Sequence, residues 1–580
     1  MKSVYALSFL ALTLSFGASG SSADDPQPPP TESTEVESRQ DPTETPPQQE
    51  ETPENAGEEY LHKATRLKIN AQSFGDLKEV IRLCGQAVTK GLDEQNLIFA
   101  KQLIASTRFE RASRICDGIF ERYPPSENWP TLAQLALIDL EEAVKHQEVF
   151  AESYLLIGRL RLLPGGNHKQ ARDAFDKVIA QAENDLPVLA MGYALRGETR
   201  KKPADQLKDF DAALKIQPEL LVALRARGVH YMKANEPGKA VDDFRKAATL
   251  EPDDAQIHEM LGLGFLFTDR LDESLKSFGR SIEIDPKRAS ALAYRARIFL
   301  EQEQLDQALE DIDRALGEVV DNLSWRLVRA QIYWQQENYV TALREVEQVL
   351  AIDAKYLDAI SMRAAILAAD EQLDEAIAGL KRALDALPDH NGLLMNLALF
   401  FGENGQTAEA LETYDTLLQR PIPLAAVYRS RGDLLLNVGK QSEAIEDYGK
   451  ALQLAPNDSG ILNNLAWVLA TSPKETLRDG ERSLKLAKRA CEVTHYKEAH
   501  ILSTLAAAFA ENGDFPEAIR WSTQAVELGN SAVDDQLSAE LESYQAGKPW
   551  REIQTAAEEQ EAENKDSETD QEQIKTNTES

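Results

Sequence analysis

Small and aromatic residues recur at helical spacing between Glu219 and Pro286, and the whole order occurs twice. Gly228, Tyr231, Ala240, Phe244, Ala247 and Pro252 return 34 residues later as Gly262, Phe265, Ser274, Phe278, Ser281 and Pro286. Small residues let two antiparallel helices approach closely, aromatics fill the space between them, and proline ends the second helix. Steps of 34 from Pro218 land on Pro252, Pro286, Val320, Ala354, Pro388, Ile422 and Pro456, so seven units pass without insertion or deletion. A single unit of this kind cannot bury its own apolar faces, so neighbours must stack.

The pattern extends less regularly on both sides. A helix pair is expected between Tyr60 and Leu92, its second helix near Phe74–Lys90, and a further unit from Asp93 to Pro124 has Phe109, Ala112 and Ile119 in phase. Trp129 to Lys145 reads as one amphipathic helix without a clear partner. Ala151 to Asp185 resumes the pattern around Ala171 and Phe175, with a lengthened turn at Leu163–Asn167 that lacks the Lys-Ser/Thr of a phosphate loop. After Pro456 one unit carries a long turn, Thr471 to Glu481, expected to be an exposed decoration because Pro473 and Gly480 break helices. Ala499 to Asn530 is nearly regular, and Ala532 to Gln545 places Leu537, Leu541 and Tyr544 on one stripe, as a capping helix would.

A 34-residue period with these landmarks resembles the tetratricopeptide repeat. The resemblance implies an all-α, right-handed solenoid of stacked antiparallel helix pairs. The expected organisation is a signal peptide at 1–23, an acidic Pro/Glu/Thr-rich linker at 24–59, irregular repeats at 60–185, and the regular array at 186–456. C-terminal units follow at 457–531, then a capping helix at 532–546 and an acidic tail at 547–580. The closing segment from Leu465-Ala466-Trp467 to Trp550 looks like that of exported bacterial members.

Lys2, the short apolar core Val4–Phe16 and the small residues Ala18 to Ala23 make up the expected signal peptide, with cleavage after Gly20 or Ala23. The mature chain is therefore expected in the periplasm or outside the cell, without integral membrane insertion. Of the formal charge of −34, Asp24–Glu59 contributes 12 acids against Arg39, and Glu558–Ser580 contributes 9 acids against two lysines. The two tails thus hold 18 of the 34 excess negative charges. A basic footprint for nucleic acid is missing, and anionic membrane surfaces should repel the chain. Cys84, Cys116 and Cys491 are too few and too scattered for a disulfide framework and are expected in the core. Neither metal-ligand spacing nor a catalytic triad stands out, so a non-enzymatic chain without metal or cofactor is expected.

In tetratricopeptide proteins the first helices line a face that binds extended peptides or partner helices. By that resemblance the candidate groove residues are Arg225, Glu259, Arg297, Gln331, Trp334, Asn396, Asn464 and Trp467, with Phe267 a further aromatic anchor. The Lys/Asn/Arg clamp for a terminal carboxylate is missing, and only Asn396 and Asn464 occupy the phase of an asparagine ladder. The expected function is a scaffold or adaptor for a protein or peptide partner. The alternative is an accessory or regulatory subunit of a cell-envelope enzyme. Oligomeric state stays open.

One covariation within the chain points to internal ion pairs. Where Arg precedes the Gly/Ala landmark, an acid stands 16 residues later: Arg227 with Asp243, Arg295 with Asp311, Arg329 with Glu345, Arg431 with Asp447. Where Leu precedes it, a neutral residue stands there: Leu261 with Ser277, Leu397 with Thr413, Leu505 with Trp521. Arg363 with Gly379 and Tyr193 with Asp209 depart from the tendency. Antiparallel packing would let each Arg fork grip its carboxylate.

Overall fold

A computed structural model describes residues 57–120, 128–146, 151–421, 424–529 and 534–552. The expected signal peptide, most of the linker and the tail beyond 552 lie outside the described residues. These contain 27 α-helices and no strand. They fall into two compact bodies, one ending at Trp325 and one starting at Arg326.

Each body is built of consecutive helix pairs, and local sequence explains their ends. Asp254 and Asp458 cap first helices and Asn338 and Asp514 cap second helices, each accepting backbone N–H bonds with its side chain. Pro203 and Pro237 occupy the first turn of second helices, where the missing N–H costs nothing. Between the two helices of a pair the chain turns through the left-handed region. Asn235, Asp269, Glu303, Glu337, Glu371, Gly405 and Gly439 all have positive φ and lie 34 residues apart. One residue later an N–H returns to the helix, as in Gln304 N to Phe299 O at 2.8 Å and Lys440 N to Leu435 O at 2.8 Å. This 6→1 bond satisfies a carbonyl that the helix end leaves open, and five non-glycine residues accept the strained φ to make the turn.

The two helices of a pair approach most closely where a small residue faces a ring. A Cβ added to Gly158 would lie 2.2 Å from Phe175, to Gly228 2.4 Å from Phe244, and to Gly262 2.8 Å from Phe278; in the second body, Gly432 stands likewise 2.9 Å from Tyr448. At the same phase Ala296, Ala330 and Ala364 go with the smaller Ile312, Val346 and Leu380, all buried. Ala398 with Tyr414 departs from this trade of volumes. Shape complementarity, more than the identity of either residue, sets the contact.

The structure corrects the sequence reading at four places. Asp93–Pro124 is not a helix pair: Glu94–Phe120 is one continuous helix. It packs on Trp129–His146, which therefore has its partner, around Ala112, Cys116, Ala136 and Leu140. The aligned small residues reach across one long interface, so no internal turn is needed. The first helix Leu186–Thr199 ends two residues after Gly197, whereas Leu221–Lys233 runs five beyond Gly228. The landmark of that unit is therefore Gly197, which faces Phe210 at 2.5 Å for an added Cβ.

The long turn at 471–481 is only partly a decoration. Residues 473–476 are exposed, but Thr471 and Ser472 are buried and Ser472 Oγ bonds the buried Gln441 side chain at 2.5 Å. Arg478 reaches Glu511 at 2.9 Å. The tail also begins later than expected: Glu552 N donates to Thr471 O at 2.9 Å, Arg551 binds both Ala470 O and Glu511, and Trp550 packs on the last repeats. Glu511 thus clasps the insert and the returning chain together. The helix Asp534–Gln545 covers the end of the array with Leu537 and Tyr544, both buried. All three cysteines are buried and free, and burial pushes the thiols up, to about 11 for Cys84 and about 12 for Cys116 and Cys491.

Gly228→Ala should destabilise the chain by about 1–3 kcal/mol, the usual cost of overpacking, since the new methyl overlaps Phe244. Phe244→Leu alone opens a cavity; combined with Gly228→Ala it should recover part of the loss. Urea unfolding of the two single variants and the double variant measures this, and strictly additive losses would contradict the volume trade.

Candidate interaction surface

Buried acids on second helices organise the polar interior. Asp243 is 2% exposed and receives Arg227 Nε at 2.8 Å and Nη2 at 2.7 Å. Asp311 receives Arg295 at 2.6 and 2.8 Å, Asp447 receives Arg431 at 2.6 and 2.8 Å, and Glu345 receives Arg329 at 2.7 Å. The bonds to Asp243 and to Asp447 hold the guanidinium groups of Arg227 and Arg431 above their ordinary range, against burial. The departure at Asp209 follows from a shorter connection: Phe210 stands 13 residues after Gly197, whereas Phe244 stands 16 after Gly228. Its partner is Arg196, immediately before Gly197, at 2.6 and 2.8 Å, while Tyr193 lies under the Arg196 guanidinium at 5.3 Å.

Sequence reasoning missed the other arm of these arginines. Arg227 Nη1 reaches Asp211 on the preceding second helix at 2.8 Å, Arg196 reaches Asp176 at 2.8 Å, and Arg431 reaches Asp415. Each guanidinium therefore joins three helices, two of its own pair and one of the pair before. Arg363, which meets Gly379 in its own pair, turns wholly to Glu347 of the preceding pair. A signal existed: Asp211, Asp415 and Glu347 all stand 16 residues before their arginine.

The candidate groove residues divide into engaged and open ones. In the first body Arg225 is spent on Asp254 and Gln256, and Glu259 is 8% exposed and ion-paired with Arg288. In the second body Asn464 donates to Asp433 at 2.8 Å, and the indole N–H of Trp467 donates to Glu552 of the returning chain. These four make internal contacts, because neighbouring first helices and the returning chain supply their partners. Arg297, Gln331 and Asn396 are half-buried and carry no hydrogen bond or ion pair among the described residues. Trp334 is half-buried, and Phe267 is 36% exposed.

Within the second body a cavity of about 380 Å³ opens between first helices and the capping helix. Asp433, Asn463, Asn464, Trp467, Ser503 and Glu540 line it, among others. It draws residues from three first helices, Tyr448 from a second helix, and residues from a helix that is not a repeat.

Family profiles described as tetratricopeptide repeat match residues 294–356, 362–426, 425–458 and 152–184. The chain carries tetratricopeptide repeats. Among curated relatives, the repeats are 33% identical over 118 residues to a human protein named Protein O-mannosyl-transferase TMTC3, covering 20% of this chain and 13% of that protein. The mouse protein of the same name is 33% identical over 106 residues, covering 18% and 12%. The chain thus spans only about an eighth of the length of these relatives. A tetratricopeptide repeat protein from Parabacteroides merdae is similar at 21% identity, with 42% of this chain and 97% of that one covered and a TM-score of 0.38. Yeast Tom70 is similar at 13% identity, with 84% and 96% covered and a TM-score of 0.37.

The tetratricopeptide ion pairs should be worth more than surface pairs because the acid is buried. In a double-mutant cycle with Arg295→Met and Asp311→Leu, removing either partner alone should cost roughly 3 kcal/mol, as for a buried charge left unpaired. Removing both should cost clearly less than the sum of the two. Additive losses in urea unfolding would mean that the contact contributes only the ~0–1 kcal/mol of an exposed pair.

Proposed function

We propose that this chain is a non-catalytic scaffold that holds a protein or peptide partner outside the cytoplasm, using the face built by its first helices. The reading rests on one observation. Arg225, Glu259 and Asn464 are committed to internal contacts, whereas Gln331 and Asn396 on first helices of the second body have no partner among the described residues. Leu399, one turn from Asn396, is 40% exposed. A mixed face of amides and single apolar side chains suits an extended chain, which offers alternating backbone amides and side chains. Export is supported by the charge and apolar pattern of residues 1–23. The transferase activity in the name of the curated relatives belongs to proteins of which this chain matches a small part, and it is not carried over.

Cross-linking of the tagged full chain in envelope fractions, followed by mass spectrometry, should recover a recurrent partner. The double variant Gln331→Glu/Asn396→Asp should lower that recovery about tenfold, equivalent to 1.4 kcal/mol of binding, with an unchanged circular dichroism melt. Undiminished recovery would place the contact elsewhere.

N-terminal sequencing of the mature protein should give Ser21 or Asp24 as the first residue. A cytoplasmic form that retains Met1 would overturn the location.

A further inference from the structure

We infer that the cavity under the capping helix takes a primary ammonium group, offered by a lysine side chain of an extended partner or by a free polyamine. The inference deepens the scaffold reading and rests on it only for the peptide-borne source.

Among the described residues, two acids and one histidine, His500, line this cavity, with no lysine or arginine. Glu540 is fully buried, and its carboxyl is held by neutral donors: Ser503 Oγ at 2.5 Å and Gln536 Nε2 at 2.9 Å. It has no ion-pair partner among the described residues. The other buried acids of the second body among the described residues, Glu345 and Asp447, are each ion-paired with an arginine. Burial pushes the Glu540 carboxyl above its ordinary range, opposed by the bonds from Ser503 and Gln536. A cation beside it would offset that burial.

Across the cavity, Asp433 accepts Tyr448 Oη at 2.6 Å and Asn464 Nδ2 at 2.8 Å, both on Oδ1. Asn463 Oδ1 is a buried acceptor with no hydrogen-bond partner among the described residues. Beside its two carboxyl groups the cavity therefore holds an acceptor without a donor, and an ammonium carries three donors and no acceptor. Trp467, whose N–H is turned to Glu552, offers its ring to an alkyl stem. A neutral sugar would satisfy Asn463 but would leave both carboxyl groups without a counter-charge, so the cation is the better match.

Calorimetric titration of the full chain tests this with four probes: N-acetyl-lysine amide, 1,5-diaminopentane, N-acetyl-norleucine amide and glucose. At least one ammonium probe should bind about tenfold or more tighter than norleucine amide and glucose. The tighter of the two ammonium probes identifies the source. Glu540→Gln should weaken that binding about tenfold or more. Asn463→Leu, which removes the unpartnered acceptor and only the 3.4 Å bond from its amide to Asn464, guards against a variant that fails to fold; it too should weaken binding, with melting followed in parallel. Equal binding of norleucine amide or glucose, no heat from either ammonium probe, or affinity unchanged in both variants would overturn the inference. If partner recovery from the envelope persisted in that case, the scaffold reading would stand.

Discussion

The close approach of two helices within a pair is the constraint on which the rest depends. A glycine against a phenylalanine at Gly228 and Phe244, or an alanine against a valine at Ala330 and Val346, fixes the distance between helix axes. That distance brings the preceding residue, Arg227 or Arg329, level with Asp243 or Glu345 on the second helix. It also demands a tight turn, which the residue of positive φ provides. Packing volume, ion pair and turn are therefore three consequences of one spacing, and they share the 34-residue period because none can move without the others.

The arginine forks add a second level. Area burial inside a pair is non-directional, whereas a guanidinium with acids on either side fixes the register of one pair on the next. Asp209, Asp243, Asp311 and Asp447 are all no more than 3% exposed, so their desolvation is offset only where the fork is in place. Stacking order is thereby specified as well as stabilised. Where the acid is replaced by Gly379, Arg363 keeps its link to Glu347 of the preceding pair and gives up the one inside its own.

Periodicity made the regular array legible from sequence, since a repeated landmark testifies to itself many times. It failed where the chain departs from the period by a few residues. The connection from Gly197 to Phe210, three residues shorter than that from Gly228 to Phe244, shifted the landmark from Ala194 to Gly197 and hid Arg196 behind Tyr193. The helix Glu94–Phe120 carries small residues in phase but has no breaker inside it, so an expected turn never forms. Candidate groove residues were read from phase alone, and phase does not reveal that Asp254 or Arg288 of the next pair will claim Arg225 or Glu259. Those contacts join residues 29 apart, across the turn between pairs, where side-chain reach matters and helical position is silent.

Residues that escape the period are also those free to vary without breaking the stack. At the C-terminal end the array meets a helix, Asp534–Gln545, that has no pair, and a returning chain anchored through Arg551 and Glu552. The cap must bury Leu537 and Tyr544 to close the apolar face, but nothing in the repeat dictates what stands between them. Glu540 is found there, buried against Ser503 and without the arginine that grips the buried Asp447 inside the array. A carboxyl buried in that way costs stability unless a cation is close. Its place on the wall of a polar cavity, beside an unsatisfied amide oxygen, is the physical reason to look for ligand chemistry at the end of the array before looking along its regular face.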